Sequence, residues 1–281
     1  MDRRKLEVAV ISDVHLGTYG CHATELVSYL RSISPKLLVL NGDIIDIWQF
    51  KKHYFPASHM QVIKEIFGMI AKGTQVVYIT GNHDESLRRY SGIELGNFQM
   101  VDKLVIELDG KKTWIFHGDV FDATTKGSAK MIAKLGGHGY DLLILVNRAI
   151  NWVLKTFGKE KMSFSKKVKN GVKKAVAWIG DFEQTAAELA IGKGYDTVIC
   201  GHIHQPQIRK MTSKDGSEVL YLNSGDWVEN STALEYHQHE WTLYKHDQNV
   251  KSDVLQMREE HRDALNYEVL LKEVVSEFYA N

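Results

Sequence analysis

The chain has 281 residues, 44% of them apolar and 25% charged, enough for one large domain or a domain with a subdomain. Lys+Arg and Asp+Glu both number 35, so no net charge draws the molecule to nucleic acid and no such partner is expected. Two cysteines, Cys21 and Cys200, cannot form a disulfide framework, and no apolar signal with a small-residue cleavage site follows Met1–Leu6; both favour a cytoplasmic protein.

Leu6–Ser12 is apolar and β-branched, as a buried strand should be. His22–Ser32 has helical periodicity, Pro35 stops it, and Leu37–Asn41 is a second strand. Ser58–Ala71 is an amphipathic helix ending near Gly73, and Gln75–Thr80 a third strand. This alternation predicts a parallel α/β sheet. Lys103–Leu108, Asp109-Gly110 and Lys111–Phe116 read as a hairpin with a type I′ turn. Asp196–Cys200 is another buried strand, with Cys200 as a core residue. Gln207–Met211 and Glu218–Asn223 flank a turn at Lys214-Asp215-Gly216; Val228–Tyr236 and Trp241–His246 read as strands. Met257–Tyr279 is an amphipathic helix that packs on the domain or on a second subunit.

Thr125 to Gly180 interrupt the strands. Between Lys126 and Lys174 lie twelve Lys/Arg and only two acidic residues, Asp141 and Glu160. Tyr140–Phe157 is strongly apolar but carries Asp141, Arg148 and Lys155, which argues against a transmembrane span. The segment reads either as a helical insertion with a solvated basic face or as a cap that shelters an acyl chain, its lysines against anionic headgroups. The expected organisation is a core of residues 1–124 and 181–256, a helical cap insertion at 125–180, and a C-terminal helix at 257–281.

Five short motifs follow apolar strands. In Ser12-Asp13-Val14-His15, residues i and i+2 of an extended segment project to one side, so Asp13 and His15 can face one metal. In Asn41-Gly42-Asp43-Ile44-Ile45-Asp46, the glycine permits close backbone approach and Asp43 can bridge two cations. Thr80-Gly81-Asn82-His83-Asp84 offers a neutral oxygen ligand. Phe116-His117-Gly118-Asp119 and Cys200-Gly201-His202-Ile203-His204 place imidazoles at strand ends, the usual position of sites in open α/β sheets.

This set resembles the calcineurin-like metallophosphoesterases over roughly residues 6–246. The resemblance implies an α/β (α+β) fold, a four-layer αββα sandwich of two mixed sheets flanked by helices. It also implies two divalent ions, with Mn²⁺ expected and Fe or Zn²⁺ also suited to Asp/Asn/His ligation. Asp13, His15, Asp43 and His204 would hold one ion, and Asp43, Asn82, His117 and His202 the other. His83, paired with Asp46, would donate a proton to the leaving oxygen or brace the phosphoryl group. Within the family, four features are most similar to the UDP-2,3-diacylglucosamine hydrolases of lipid A synthesis. These are the overall length, the stretch Gly-Asp-x-x-(acid)-x-Trp ending at Trp48, the basic insertion, and Gly225-Asp226-Trp227. The best-known members have Arg after the Asn of the third motif, where this chain has His83.

Arg88 and Arg89 are expected either to hold a phosphate by forked donors or to lie on a solvated face. Asp122 and Lys126, just beyond the fourth motif, are either candidates to touch a sugar or phosphate or ordinary loop residues. Asp84 and Asp119 should brace loops, and His53, His59, His138, His237 and His239 should be surface or packed histidines. The leading function is hydrolysis of a nucleotide-linked glycolipid to UMP and a lipid phosphate, with peripheral contact to anionic lipid on the cytoplasmic face of the inner membrane. A phosphomonoesterase or nucleotide phosphodiesterase would act on a soluble phosphorylated small molecule through the same ions. A non-catalytic scaffold of this fold would show a degraded ligand set, whereas all seven ligand positions are filled.

Overall fold

In the computed structural model, which describes residues 3–48, 54–121, 166–213 and 215–247, the central strands are apolar on both faces. β1 (Arg4–Ile11) sends Val8 and Val10 one way and Ala9 and Ile11 the other, because successive side chains alternate across a strand. β2 (Ile33–Asn41) does the same with Val39 against Leu38 and Leu40, and β3 (Gln75–Ile79) with Val77 and Ile79 against Val76 and Tyr78. Strands of this kind need cover on both sides of their sheet.

The remaining strands are β4 (Glu94–Leu95), β5 (Phe98–Val101), β6 (Leu104–Leu108), β7 (Lys111–Ile115), β8 (Thr197–Cys200), β9 (Gln207–Thr212), β10 (Glu218–Asn223), β11 (Thr232–His237) and β12 (Glu240–Lys245). They form a seven-stranded sheet, ordered β12-β11-β1-β2-β3-β5-β4, and a five-stranded sheet, ordered β6-β7-β8-β10-β9. Both are mixed: β1, β2, β3 and β5 run parallel while β11 is antiparallel to β1, and β8 is parallel to both β7 and β10. The expected β6–β7 hairpin is present, and its turn residues Asp109 and Gly110 both have positive φ, as a type I′ turn requires.

Three apolar cores separate four layers. The inner core joins the two sheets through Val8, Val10, Val39 and Ile79 on one side and Ile115, Ile199 and Leu222 on the other. Outside the first sheet pack α1 (Ala23–Ser32), through Leu26 and Leu30, and α2 (Ala57–Ala71), through Val62, Ile66 and Met69. Their three- and four-residue spacings place these side chains on one helical stripe. Outside the second sheet lies α3 (Lys166–Gly192), whose Phe182, Ala186 and Ala190 lie on Val198, Cys200 and Tyr221. The αββα sandwich is therefore the observed fold. The chain divides into two compact units, Met1–Lys245 and His246–Asn281, and every element named here lies in the first.

Several expected boundaries shift. β2 begins at Ile33, before Pro35, so the proline does not separate helix from strand. Pro35 is tolerated because β2 there pairs only with β1; pairing to β3 starts at Leu37. The strand expected from Val228 starts at Thr232, because Asp226 accepts the backbone N–H groups of Val228 and Asn230 and folds that stretch into a turn. The short pair β4–β5 was not predicted, being only two and four residues long. α3 passes through residue 180 without a break, so no element ends where the cap was expected to end. Tyr140–Phe157 and Met257–Tyr279 lie outside the described residues. Among the described residues no helix is long and apolar enough to cross a membrane.

Candidate metal centre

The five motifs meet at one end of the two sheets. The first two are joined by a backbone ladder: Asp13 N donates to Gly42 O at 3.0 Å, Val14 N and His15 N to Asp43 O at 2.9 Å, and Leu16 N to Ile44 O at 2.9 Å. Asp84 ties the third motif to them, accepting Ile44 N at 2.9 Å and Gly81 N at 2.6 Å, and it also accepts the Tyr78 hydroxyl. The second sheet is stitched on by Asn41 Nδ2 donating to Phe116 O, by His117 Nδ1 donating to Asn41 O at 2.8 Å, and by His202 N donating to Asp13 Oδ2 at 3.0 Å. Asp84 therefore braces loops as expected, and Asp119 is bound by Arg88.

Close approach requires glycine here. A Cβ on Gly42 would run into the His117 ring, and one on Gly81 into Asp43 Oδ1. Gly42 also has φ +82°, a region that L side chains avoid. Yet Asp13 (φ 51°), His15 (53°), Asp43 (54°), His202 (67°) and His204 (53°) adopt the same left-handed conformation with full side chains. Such strain is held by the surrounding hydrogen bonds and clusters at functional sites.

Ligand-type atoms gather into three overlapping groups: Asp13, His15 and His204; Asp43, His117 and His202; and His15, Asp43 and His83. Within each group the atoms lie within 4.8 Å of one another. The second nitrogens fit a cation. His15 Nδ1 faces Asp46 Oδ2 at 3.1 Å, and His117 Nδ1 donates to Asn41 O, which leaves Nε2 of each ring with its lone pair. His15 Nε2 and Asn82 Oδ1 are buried without a hydrogen-bond partner among the described residues, and His117 Nε2 lies 3.3 Å from Asp43 Oδ2. Orphaned buried acceptors of this kind suit a bound cation. Six of the seven expected ligands fall within the first two groups, and the seventh, Asn82, precedes His83, whose N–H donates to Asp43 Oδ1 at 2.8 Å.

Burial opposes charge on Asp13 and Asp43, yet the His204 imidazole beside Asp13 and the His117 imidazole beside Asp43 outweigh it and hold both carboxyls well below the usual range. Burial likewise opposes protonation of His204, but the Asp13 charge overcomes it and raises the ring to about 9. In the metal-free chain, protons on imidazoles thus balance buried carboxylates, and cation uptake would displace them.

Asp46 is buried and lies 2.8 Å from His83 Nδ1 as well as 3.1 Å from His15 Nδ1. Burial pushes its carboxyl up, and the hydrogen bonds from His15 and His83 more than reverse this. His83 is raised in turn: burial lowers it, and the Asp46 contact and the Asp43 charge prevail. The exposed Trp48 ring lies 5.0 Å from that of His83, centroid to centroid.

Arg88 is not presented as a free fork; Nη2 binds Asp119 at 2.9 Å and Nε binds Thr80 Oγ1 at 3.3 Å. Arg89 is exposed with its guanidinium over Tyr90. Asp122, Lys126, His53 and His138 lie outside the described residues. His59 is packed and buried, while His237 and His239 pair at the surface with Glu7 and Asp109. Sequence reasoning gave Asp226 no role. It is fully buried, with Oδ2 3.8 Å from His204 Nδ1, and only the Gly-Asp-Trp signal marked the segment.

Paired clusters of carboxylates and imidazoles at the loop end of an αββα sandwich are the ligand chemistry of a metal-dependent phosphoesterase. Residues 6–206 match the family model described as calcineurin-like phosphoesterase, and the chain belongs to that family, whose fold implies a dinuclear divalent-metal site. It is similar to the UDP-2,3-diacylglucosamine hydrolase of Aliivibrio fischeri (strain MJ11), 26% identical over 244 residues, covering 85% of this chain and 98% of that protein. The enzyme of the same name from Blochmanniella pennsylvanica is 26% identical over 238 residues, 82% of this chain and 92% of its own. Among solved structures, a novel archaeal phosphodiesterase superposes with a TM-score of 0.42 at 16% identity, covering 85% of this chain and 98% of that one.

Proposed function

We propose that this metallophosphoesterase hydrolyses the phosphoanhydride of a nucleotide-linked glycolipid of the UDP-2,3-diacylglucosamine type, giving UMP and a lipid phosphate. The observation that carries this reading is the similarity to UDP-2,3-diacylglucosamine hydrolases along 98% of one such protein's length, with every ligand-type position filled in this chain. Exposed Ile47, Trp48 and Val120, just beyond the second and fourth motifs, add apolar surface suited to an amphiphilic substrate.

Asp13, His15, Asp43 and His204 would hold one ion, and Asp43, Asn82, His117 and His202 the other; Mn²⁺ is expected, with Fe or Zn²⁺ also compatible. Such ions acidify water near neutral pH and neutralise charge on phosphoryl oxygens. Asp46 beside Nδ1, with the Asp43 charge, favours the imidazolium form of His83, whose Nε2 proton would be given to the leaving oxygen. Arg89 is available to bind phosphate, while Arg88 braces Asp119; Asp122 and Lys126 are assigned to sugar or phosphate contacts. The enzyme is assigned to the cytoplasm, in peripheral contact with anionic lipid.

One observation favours a second reading. His83, where the best-known lipid A hydrolases have Arg, equips the site for small phosphomonoesters or nucleotide phosphodiesters. Turnover of a diacylated UDP-sugar beside a bis-aryl phosphate separates the two: the lipid reading requires the UDP-sugar to win on kcat/KM, and strong preference for the aryl ester defeats it.

A further inference from the structure

The imidazoles of the site follow a pattern. His15 turns its far nitrogen to the Asp46 carboxylate and His117 turns its own to the Asn41 carbonyl. His204 has Nε2 at 3.2 Å from Asp13 Oδ1, so Nδ1 is its far nitrogen, and the group facing it is Asp226 at 3.8 Å. Asp226 is fully buried in the segment between β10 and β11, 22 residues further along the chain than His204.

The same segment also grips the His204 backbone. Asn230 Nδ2 donates to His204 O at 3.1 Å, and Asn230 N donates to Asp226 Oδ1 at 3.1 Å. Val228 N donates to that oxygen at 2.8 Å, and Thr232 N closes the turn on Asp226 O at 3.1 Å. Trp227, fully buried, donates its backbone N–H to Asp13 O at 3.0 Å, so the turn is anchored at a second point of the same ligand group. His204 needs such a hold because its backbone sits at φ 53°.

We infer that Asp226 and Asn230 form a clamp that positions His204 for the ion held by Asp13, His15 and His204. Asp226 sets the ring through its charge, and Asn230 sets the strained backbone through the carbonyl. Both are positioning residues. The inference rests on the metal-binding reading and adds to it the statement that one ion depends on the β10–β11 turn and the other does not. Groups that orient a ligating imidazole typically change metal affinity about 10–100-fold when removed.

The test is calorimetric titration of the metal-free full chain with Mn²⁺, with thermal melting as a fold control. Wild type is expected to take up two ions. Asp226→Asn keeps an oxygen to accept the turn's N–H groups and removes both the charge facing His204 and the oxygen that accepts Asn230 Nδ2. It should bind one ion about 10–100-fold more weakly and the other within about 3-fold of wild type. At ion concentrations that fill both wild-type sites, its electron paramagnetic resonance spectrum should be that of isolated Mn²⁺ instead of a coupled pair. Asn230→Ala keeps Asp226 whole and should weaken the same ion alone, which preserves the test if Asp226→Asn does not fold. Wild-type affinity at both sites in either folded variant overturns the clamp. Equal weakening of both ions overturns it as well, because the turn would then be acting on the fold at large. A wild-type chain that takes up no ion defeats the metal reading, and the clamp with it.

Discussion

The two sheets bring different chemistry to the same centre. Loops of the seven-stranded sheet carry the carboxylates Asp13, Asp43 and Asp46, along with Asn82, His15 and His83. The proposed ligands on loops of the five-stranded sheet are all imidazoles, His117, His202 and His204. The first set is held by a backbone ladder running from Asp13 to Ile44 and by Asp84. The second set leans on the first: His117 on the Asn41 carbonyl and His202 on the Asp13 carboxylate. The acidic half is thus built in place and the imidazole half docks onto it, so damage to each half should look different.

The largest effect should come from the carboxylate on which both halves converge. Asp43→Ala is expected to abolish turnover and lower bound metal at both positions, read by elemental analysis beside the assay. Two ions retained in that variant would mean that the halves do not meet at Asp43. His83→Ala should lower kcat about 10²–10⁴-fold with both ions kept. Loss of an ion would instead move His83 into the ligand set, where one of the three clusters already places it. Gly42→Ala forces a side chain into the His117 ring at φ +82°. A cost of about 1–3 kcal/mol is expected, with weaker metal binding at the imidazole half; thermal melting and metal titration measure the two.

A last effect, confined to acid, concerns the acidic half alone and leaves turnover near neutral pH untouched. Gly17 N donates to His59 Nδ1 at 3.0 Å, which requires a neutral ring, and burial pushes His59 from 6.5 down to about 4. Between those values the unfolded chain takes up a proton that the folded chain refuses. Stability should therefore fall as pH drops from 6.5 to 4, by at most about 1.4 kcal/mol per pH unit. Denaturant titrations of His59→Gln across that window should show a flatter slope, and an unchanged slope would clear His59 of this role.

What was legible in the residues follows the same division. Asp13, His15, Asp43, His117, His202 and His204 stood out because each follows an apolar strand and because their chemistry does not depend on packing. The β6–β7 hairpin was legible because Asp-Gly suits the two positive φ angles of its turn. The start of β2 was hidden because Pro35 reads as a breaker unless one knows that its neighbour strand begins later. Asp226 was hidden for a different reason. Its importance comes from a turn that returns the chain to His204 across 22 residues, and no local spacing reports such a contact.

The left-handed backbone at five of the seven proposed ligands has a consequence for how this protein can change. Each such residue costs roughly 1–2 kcal/mol that glycine would not. Glycine at any of the five would relieve that strain and delete a donor, and at Asp13 or Asp43 it would also strip the acceptor from His202 N or His83 N. Backbone ease and turnover therefore pull in opposite directions at these positions, and the carboxylates are the harder ones to give up.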